Sequence, residues 1–420
     1  MLRSLDPLPD EALSGYLLRL SHRLRITPAT LVKRTGLGID TTADSKVYRI
    51  SMHYLFALEP ECEEPFARAT RLSPAEVQGL LLAPLGRRYG PLNPRFLKSA
   101  EPSRVIRNNS WVLSEKVRYC PQCLAGDGSE IEALHGGAWR RLWRLPVTFA
   151  CVRHRQLLRD RCPDCGGLVH AGDAKSMLAR LNDDALHPTQ CRSTPSSTAK
   201  DRSVRPACGA DLTAAEGGEL RSLSPQTRRT IYTTQERLTS LLADDGPEQI
   251  GSVGWAVPVA QYFMDLKAVT SLIFMTWPEA RPHAATPTLA QALDAEAQRR
   301  HEDFAQQRAA GKRGPAARAY VVPSADPLAA AAVFEMADRF LRSSDENAAS
   351  ALLGPLAEEA RYAHQPVSYT IRRAQGTSIP LQIVLLTHRR NARSGENVTT
   401  LIERNEGLAR WPTSQNRLAK

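Results

Sequence analysis

With 420 residues and 42% hydrophobic side chains, the chain is long enough for two or three buried cores and too apolar for disorder. Its 55 lysines and arginines against 44 carboxylates leave a formal charge of +11 and a pI near 9.4, a balance that suits a polyanionic partner such as nucleic acid. No stretch approaches the roughly 18 apolar residues of a membrane span, and "MLRSLDPLPDEAL" lacks the apolar run of a secretory signal, so no membrane partner and a cytoplasmic, reducing setting are expected.

In chain order, Leu13, Tyr16, Leu17, Leu20 and Leu24 recur at helical spacing, predicting a helix over 10–24 with Asp10 as its cap and Glu11 in its first turn. Thr27 as N-cap, Pro28 at the first helical position and Gly36 as the stop predict a second short helix. Further on, Ser73 and Glu76 form an S-x-x-E capping box ahead of Val77, Leu80 and Leu81, with a short helix from about Pro65 before it. Such a helix pair can set its second member in a major groove, which makes Arg68, Arg71 and Gln78 candidate DNA contacts; most capped pairs merely pack. The stretch "GPLNPRFLKSAEPSRVIRNNS" reads as a linker and "CRSTPSSTAKDRSVRPAC" as an exposed loop. Beyond them, "TTQERLTSLLA", "PVAQYFMDLKAVTSLIFM" and "DPLAAAAVFEMADRFL" carry helical periodicity, and "QRRHEDFAQQRAAGKRGPAARAY" reads as a loop or an exposed helix end.

The cysteines fall between these helical parts. Cys120-x-x-Cys123, Cys151-x-x-His154 and Cys162-x-x-Cys165 follow one another closely, with Cys191 and Cys208 later. A two-residue gap lets one tight turn aim two side chains at one ion, and zinc takes four such soft or borderline donors in a tetrahedron. Cys120, Cys123, Cys151 and His154 make one complete set. Cys162, Cys165, Cys191 and Cys208 make a second, in which His170 or His187 could replace a late cysteine. Two filled tetrahedra point to structural Zn2+ ions, because no coordination position stays open for a substrate. The deaminase pattern, H-x-E followed by P-C-x-x-C, is missing, as are a P-loop and a G-x-S-x-G elbow, so no catalytic residue is assigned and an enzyme is not expected. A magnesium-dependent nuclease built from scattered carboxylates is the enzymatic alternative.

The positive charge gathers with the thiols: residues 101–200 hold 15 basic and 10 acidic side chains, residues 201–300 hold 10 and 12. In "AWRRLWRLP", a helix would put Trp139 and Trp143 on one face with Arg140, Arg141 and Arg144 beside them, a surface for phosphates or stacking; the competing role is an indole pair buried against the metal module. Arg153 and Arg155 flank His154 and are candidates of the same kind. The fold expected is mainly α and multidomain: a helix-turn-helix-like helical domain over 1–100, a tandem zinc-ribbon domain with short β-hairpins over 101–215, and a helical C-terminal domain over 216–420.

The stretches "PLPDEALSGYLLRLS", "RYCPQCL", "WRRLWRLPVTFACVRHRQLLRDRCPDCGG" and "PACGADL" resemble the TniQ family, which includes the TnsD target-selection proteins of bacterial transposons. The resemblance runs from about Leu8 to Leu212 and carries the ligand roles onto Cys120, Cys123, Cys151, His154, Cys162 and Cys165. It implies a non-catalytic adaptor that binds double-stranded DNA, helps choose the insertion site and recruits an AAA+ transposition ATPase. Some members join an RNA-guided CRISPR effector; transposase subunits and a second copy of the chain are further partners the resemblance allows. The polar insertion between Cys191 and Cys208 departs from the family pattern. A zinc-ribbon, helix-turn-helix transcription regulator is the alternative reading of the same residues.

Overall fold

The computed structural model describes residues 5–38, 40–41, 48–114, 116–169, 176–183, 185–193, 206–214, 222–311, 320–363 and 376–387. Among the described residues helices dominate, and the strands pair only as two-stranded antiparallel hairpins. Two compact units form: Met1–Pro84 with Lys98–Ser222, and Leu85–Leu97 with Leu223–Lys420. No helix among the described residues is long and apolar enough to cross a membrane.

Unit 1 opens with α1 (Leu13–Leu24), which buries Leu13, Tyr16, Leu17 and Leu20, the stripe its sequence spacing defines. Asp10 does not cap it. Its backbone is left-handed (φ 60°) and its carboxylate pairs with Arg141 at 3.3 Å. The helix start is satisfied instead by distant carbonyls, Ala12 N–H donating to Trp139 O (2.7 Å) and Leu13 N–H to Leu80 O (3.0 Å). Glu11 lies buried on Arg19 at 2.8 Å.

After Arg25, α2 (Pro28–Thr35) starts as its sequence demands: Thr27 Oγ1 accepts from Thr30 N–H at 3.1 Å, and Gly36 at φ 77° ends it. Helix α3 runs over Pro60–Thr70, five residues ahead of the expected start, because Pro60 takes the first position and Glu61 and Glu63 favour the first turn; Pro65 is tolerated inside it. The reciprocal capping box of Ser73 and Glu76 starts α4 (Pro74–Gly79). Phe66 meets Tyr16 edge-on, with ring centroids 6.4 Å apart, joining α3 to α1.

The expected linker is more structured than its composition suggests. Leu85–Leu97 belongs to unit 2, and α5 (Pro102–Asn108) forms in unit 1. Two short helices follow, α6 (Pro121–Ala125) and α7 (Glu130–His135), and then the hairpin β1 (Ala150–Cys151) and β2 (Gln156–Leu157).

In unit 2 the three periodic stretches lie in α8 (Pro225–Leu242), α9 (Val259–Met275) and a helix at Pro327–Leu341. Helix α9 is buried nearly all round. Arg88 donates to the carbonyls of Pro247 and Asp244, and Tyr89 packs edge-on to Phe263 at 5.1 Å. Buried Asp338 accepts from Tyr262 Oη and from Arg237 Nε. The stretch "HEDFAQQRA" is the exposed end of α10 (Pro287–Ala309), whereas Arg300 just before it is buried on Glu296.

Candidate metal centres

Two clusters of donor atoms form in unit 1, each with its four ligand atoms within 4.8 Å of one another: Cys120, Cys123, Cys151 and His154, and Cys162, Cys165, Cys191 and Cys208. In the first, Cys120 occupies the N-cap of α6, where Pro121 fixes the first turn and brings Cys123 round beside it. Cys151 ends β1, and His154 sits in the turn before β2. His154 Nδ1 lies 3.3, 3.2 and 3.6 Å from the sulfurs of Cys120, Cys123 and Cys151, and Cys123 and Cys151 are 3.7 Å apart. Bonds of about 2.3 Å to sulfur and about 2.0–2.1 Å to nitrogen put tetrahedral sulfurs about 3.8 Å apart and sulfur about 3.5 Å from nitrogen. The donor set therefore has the size of a tetrahedral metal site.

In the second cluster Cys162 and Cys165 share one turn, closed by Gly166 N–H donating to Cys162 O at 3.0 Å. Cys191 and Cys208 lack the two-residue spacing, yet the backbone brings them together. Cys191 N–H donates to Ala210 O (2.8 Å), Gly209 N–H to Cys191 O (3.0 Å) and Cys208 N–H to Ser193 O (2.9 Å), an antiparallel pairing that meets at the cysteines. The sulfurs of Cys162 and Cys208 are 3.8 Å apart, those of Cys165 and Cys191 3.9 Å. His187 goes elsewhere, bonding Thr189 Oγ1 at 2.7 Å and the Leu134 carbonyl at 3.2 Å, and His170 lies outside the described residues.

Charge explains why such sets need a cation. Hydrogen bonding to Cys123 and Cys151, with burial, pushes the Cys120 thiol far up. Cys123 is drawn down by Cys120 but ends at about 11, pushed by Cys151 and burial, while Cys151 falls to about 2 on hydrogen bonds from Cys120 and Cys123. Burial pushes Cys191 up to about 12 and also raises Cys208; against its own burial, Cys165 is lowered to about 7 by the Ser193 hydroxyl and the Gly167 N–H. A divalent ion lets all these thiols become thiolates together. Two donors unremarked in the sequence support the sulfurs: Gln156 Nε2 donates to Cys120 at 2.8 Å, and Ser193 Oγ lies 2.8 Å from Cys191. Alternation places Gln156 inward on β2, which was a usable signal; Ser193 had none.

Both clusters are built into one apolar core with Tyr119, Leu124, Trp139, Trp143, Leu158, Val169 and Leu212. The tryptophans share no α-helix: Trp139 precedes a single 3-10 turn at Arg141–Arg144. Both indoles are buried, 6.4 Å apart edge-on, and Trp139 Nε1 donates to Pro188 O at 3.0 Å.

The arginines separate into buried and exposed. Arg144, expected at a phosphate, is 3% exposed, with no partner for Nε or Nη1, and burial lowers its pKa to about 10; packing of Trp143 and Leu145 carries it inward. Arg141 is engaged by Asp10 and the Leu81 carbonyl, and Arg140 is half-buried. Arg68 is exposed but paired with Glu64, Gln78 donates to both Glu63 oxygens at 3.0 Å, and Arg71 is exposed at the left-handed end of α3. Arg153 and Arg155 are exposed on the β1–β2 turn.

The TniQ family model matches residues 2–158, a span that contains the first cluster and ends ahead of Cys162. No curated protein matches the chain. No solved structure matches it either. The likeness to the TniQ family thus covers residues 2–158, less than half of the 420-residue chain.

Proposed function

We propose that this protein is a non-catalytic target-selection adaptor of DNA transposition, in which unit 1 holds two structural Zn2+ ions, binds double-stranded DNA and recruits an AAA+ ATPase. The TniQ match over residues 2–158 carries the reading. The metal clusters support it in a specific way: each offers four donors at tetrahedral spacing, which suits zinc as an internal cross-link and leaves no open position for substrate. The helices at the start of unit 1 would then act as helix-turn-helix-like elements and the cysteine hairpins as zinc ribbons. The net charge of +11 gives the duplex a complementary partner. The deciding experiment is a pulldown with an AAA+ transposition ATPase, with and without duplex DNA, alongside elemental analysis. Two zinc ions per chain and DNA-enhanced retention of the ATPase are expected; a metal-free protein that ignores the ATPase in both arms refutes the proposal.

A further inference from the structure

We infer that the DNA backbone is met by the α1–α2 helix pair, with Arg23, Arg25 and Arg34 as its phosphate contacts, and not by α3–α4; this rests on the DNA-binding reading above. The two pairs have similar local architecture and opposite charge. Residues 12–38 contain no Asp or Glu, and Arg23, Arg25, Lys33 and Arg34 are all exposed. Around α3 and α4, Glu59, Glu61, Glu63, Glu64 and Glu76 stand against only Arg68 and Arg71, and Arg68 is already paired with Glu64. The charges carried by α3–α4 are mostly carboxylates and those carried by α1–α2 are all cations; the acids nearest α1–α2 lie on the elements packed against it, α3 and α7.

Both pairs close their first helix on a left-handed arginine, Arg25 (φ 52°) and Arg71 (φ 60°), so charge and not backbone separates them. Arg25 closes α1 in the left-handed conformation (φ 52°, ψ 47°), its N–H bonded to the carbonyls of His22 and Ser21. Glycine is the residue that fits this position without a steric penalty, and an arginine there costs conformational energy. A cation at a helix C-terminus also meets the macrodipole favourably, which is the structural account to be separated from the binding one.

The test exploits that strain. In the full-length protein, Arg23→Ala/Arg25→Gly/Arg34→Ala is compared with Arg68→Ala/Arg71→Gly by binding to a random-sequence duplex across a salt series, with melting temperature recorded for each. The triple variant is expected to keep its melting temperature, since glycine relaxes the turn, while the slope of log affinity against log salt shrinks by about 2.7, or about 0.9 for each lost phosphate contact. The α3–α4 variant is expected to bind as the parent does. Equal losses in both variants, loss confined to the α3–α4 variant, or loss of binding only together with a fall in melting temperature overturns the assignment. A parent protein with no salt-dependent DNA binding refutes the functional reading itself and takes this assignment with it.

Discussion

Trp139 is where the metal module and the N-terminal helix meet, so its truncation separates a buried indole from a nucleic-acid-stacking one. The side chain is 3% exposed, donates Nε1 to Pro188 O, lies 6.0 Å from Tyr119 and 6.4 Å from Trp143, and its Cβ presses on Gly15 of α1. Trp139→Ala therefore removes a packed indole and leaves a cavity, at a cost of about 3–5 kcal/mol. At about 2–4 °C per kcal/mol for a unit of 150–250 residues, the melting temperature of unit 1 should fall by roughly 6–20 °C. Trp139→Phe keeps most of the area and loses the hydrogen bond, so its drop should be smaller. Thermal denaturation by near-ultraviolet circular dichroism reads both variants, with duplex binding measured below the transition. A Trp139→Ala protein that melts with the parent but binds DNA more weakly would place the indole at the nucleic acid and refute this packing argument.

Replacing one ligand in either cluster, Cys120→Ser or Cys162→Ser, should cost one metal equivalent and destabilise unit 1, because structural zinc contributes apparent binding energies on the order of 10 kcal/mol; elemental analysis and melting temperature check this, and unchanged values for both would remove that residue from the ligand set. Glu11 is pushed up to about 7 by burial, opposed by Arg19, from an ordinary value of 4.5. Its folded carboxyl thus holds a proton more tightly than the unfolded one, so the stability it contributes is complete below about pH 4.5 and is lost as pH rises toward 7, a change on the order of 3 kcal/mol. Glu11→Gln should flatten that part of the pH–stability curve, and a variant whose denaturant midpoints run parallel to the parent's from pH 4.5 to 7.5 would contradict it. Gly15→Ala should also destabilise, since its Cβ would fall 2.8 Å from Trp139 Cβ and 3.2 Å from Trp139 N; an unchanged midpoint would show that the backbone at Trp139 can shift.

What could be read from the sequence was what is settled within a few residues. The Thr27 cap and the Ser73–Glu76 box need only their own helix turns, and the two-residue gaps at Cys120, Cys151 and Cys162 already bring two donors together. The Cys191–Cys208 pair was harder, because their approach depends on backbone pairing between 190–193 and 208–211 across a polar insertion. Asp10 misled for a related reason: the N–H groups it was expected to cap are taken by Trp139 and Leu80, carbonyls far away in the chain. Arg144 misled because amphipathic patterning assigns arginine to the surface, and only the packing of its neighbours shows it buried, with no carboxylate partner among the described residues.

The family match stops at residue 158, but the physics does not. Cys162, Val169, Cys191 and Leu212 lie in the same apolar core as Cys120, Cys151, Trp139 and Trp143. The hydrogen bond of Trp139 Nε1 reaches forward to Pro188, while the Trp139 carbonyl reaches back to Ala12 at the head of α1. Each cluster thus braces a core that the other helps to fill, and α1 is tied to that core through its first backbone N–H groups. Loss of the second cluster should consequently be felt at α1, inside the matched span, although no ligand of that cluster lies within it.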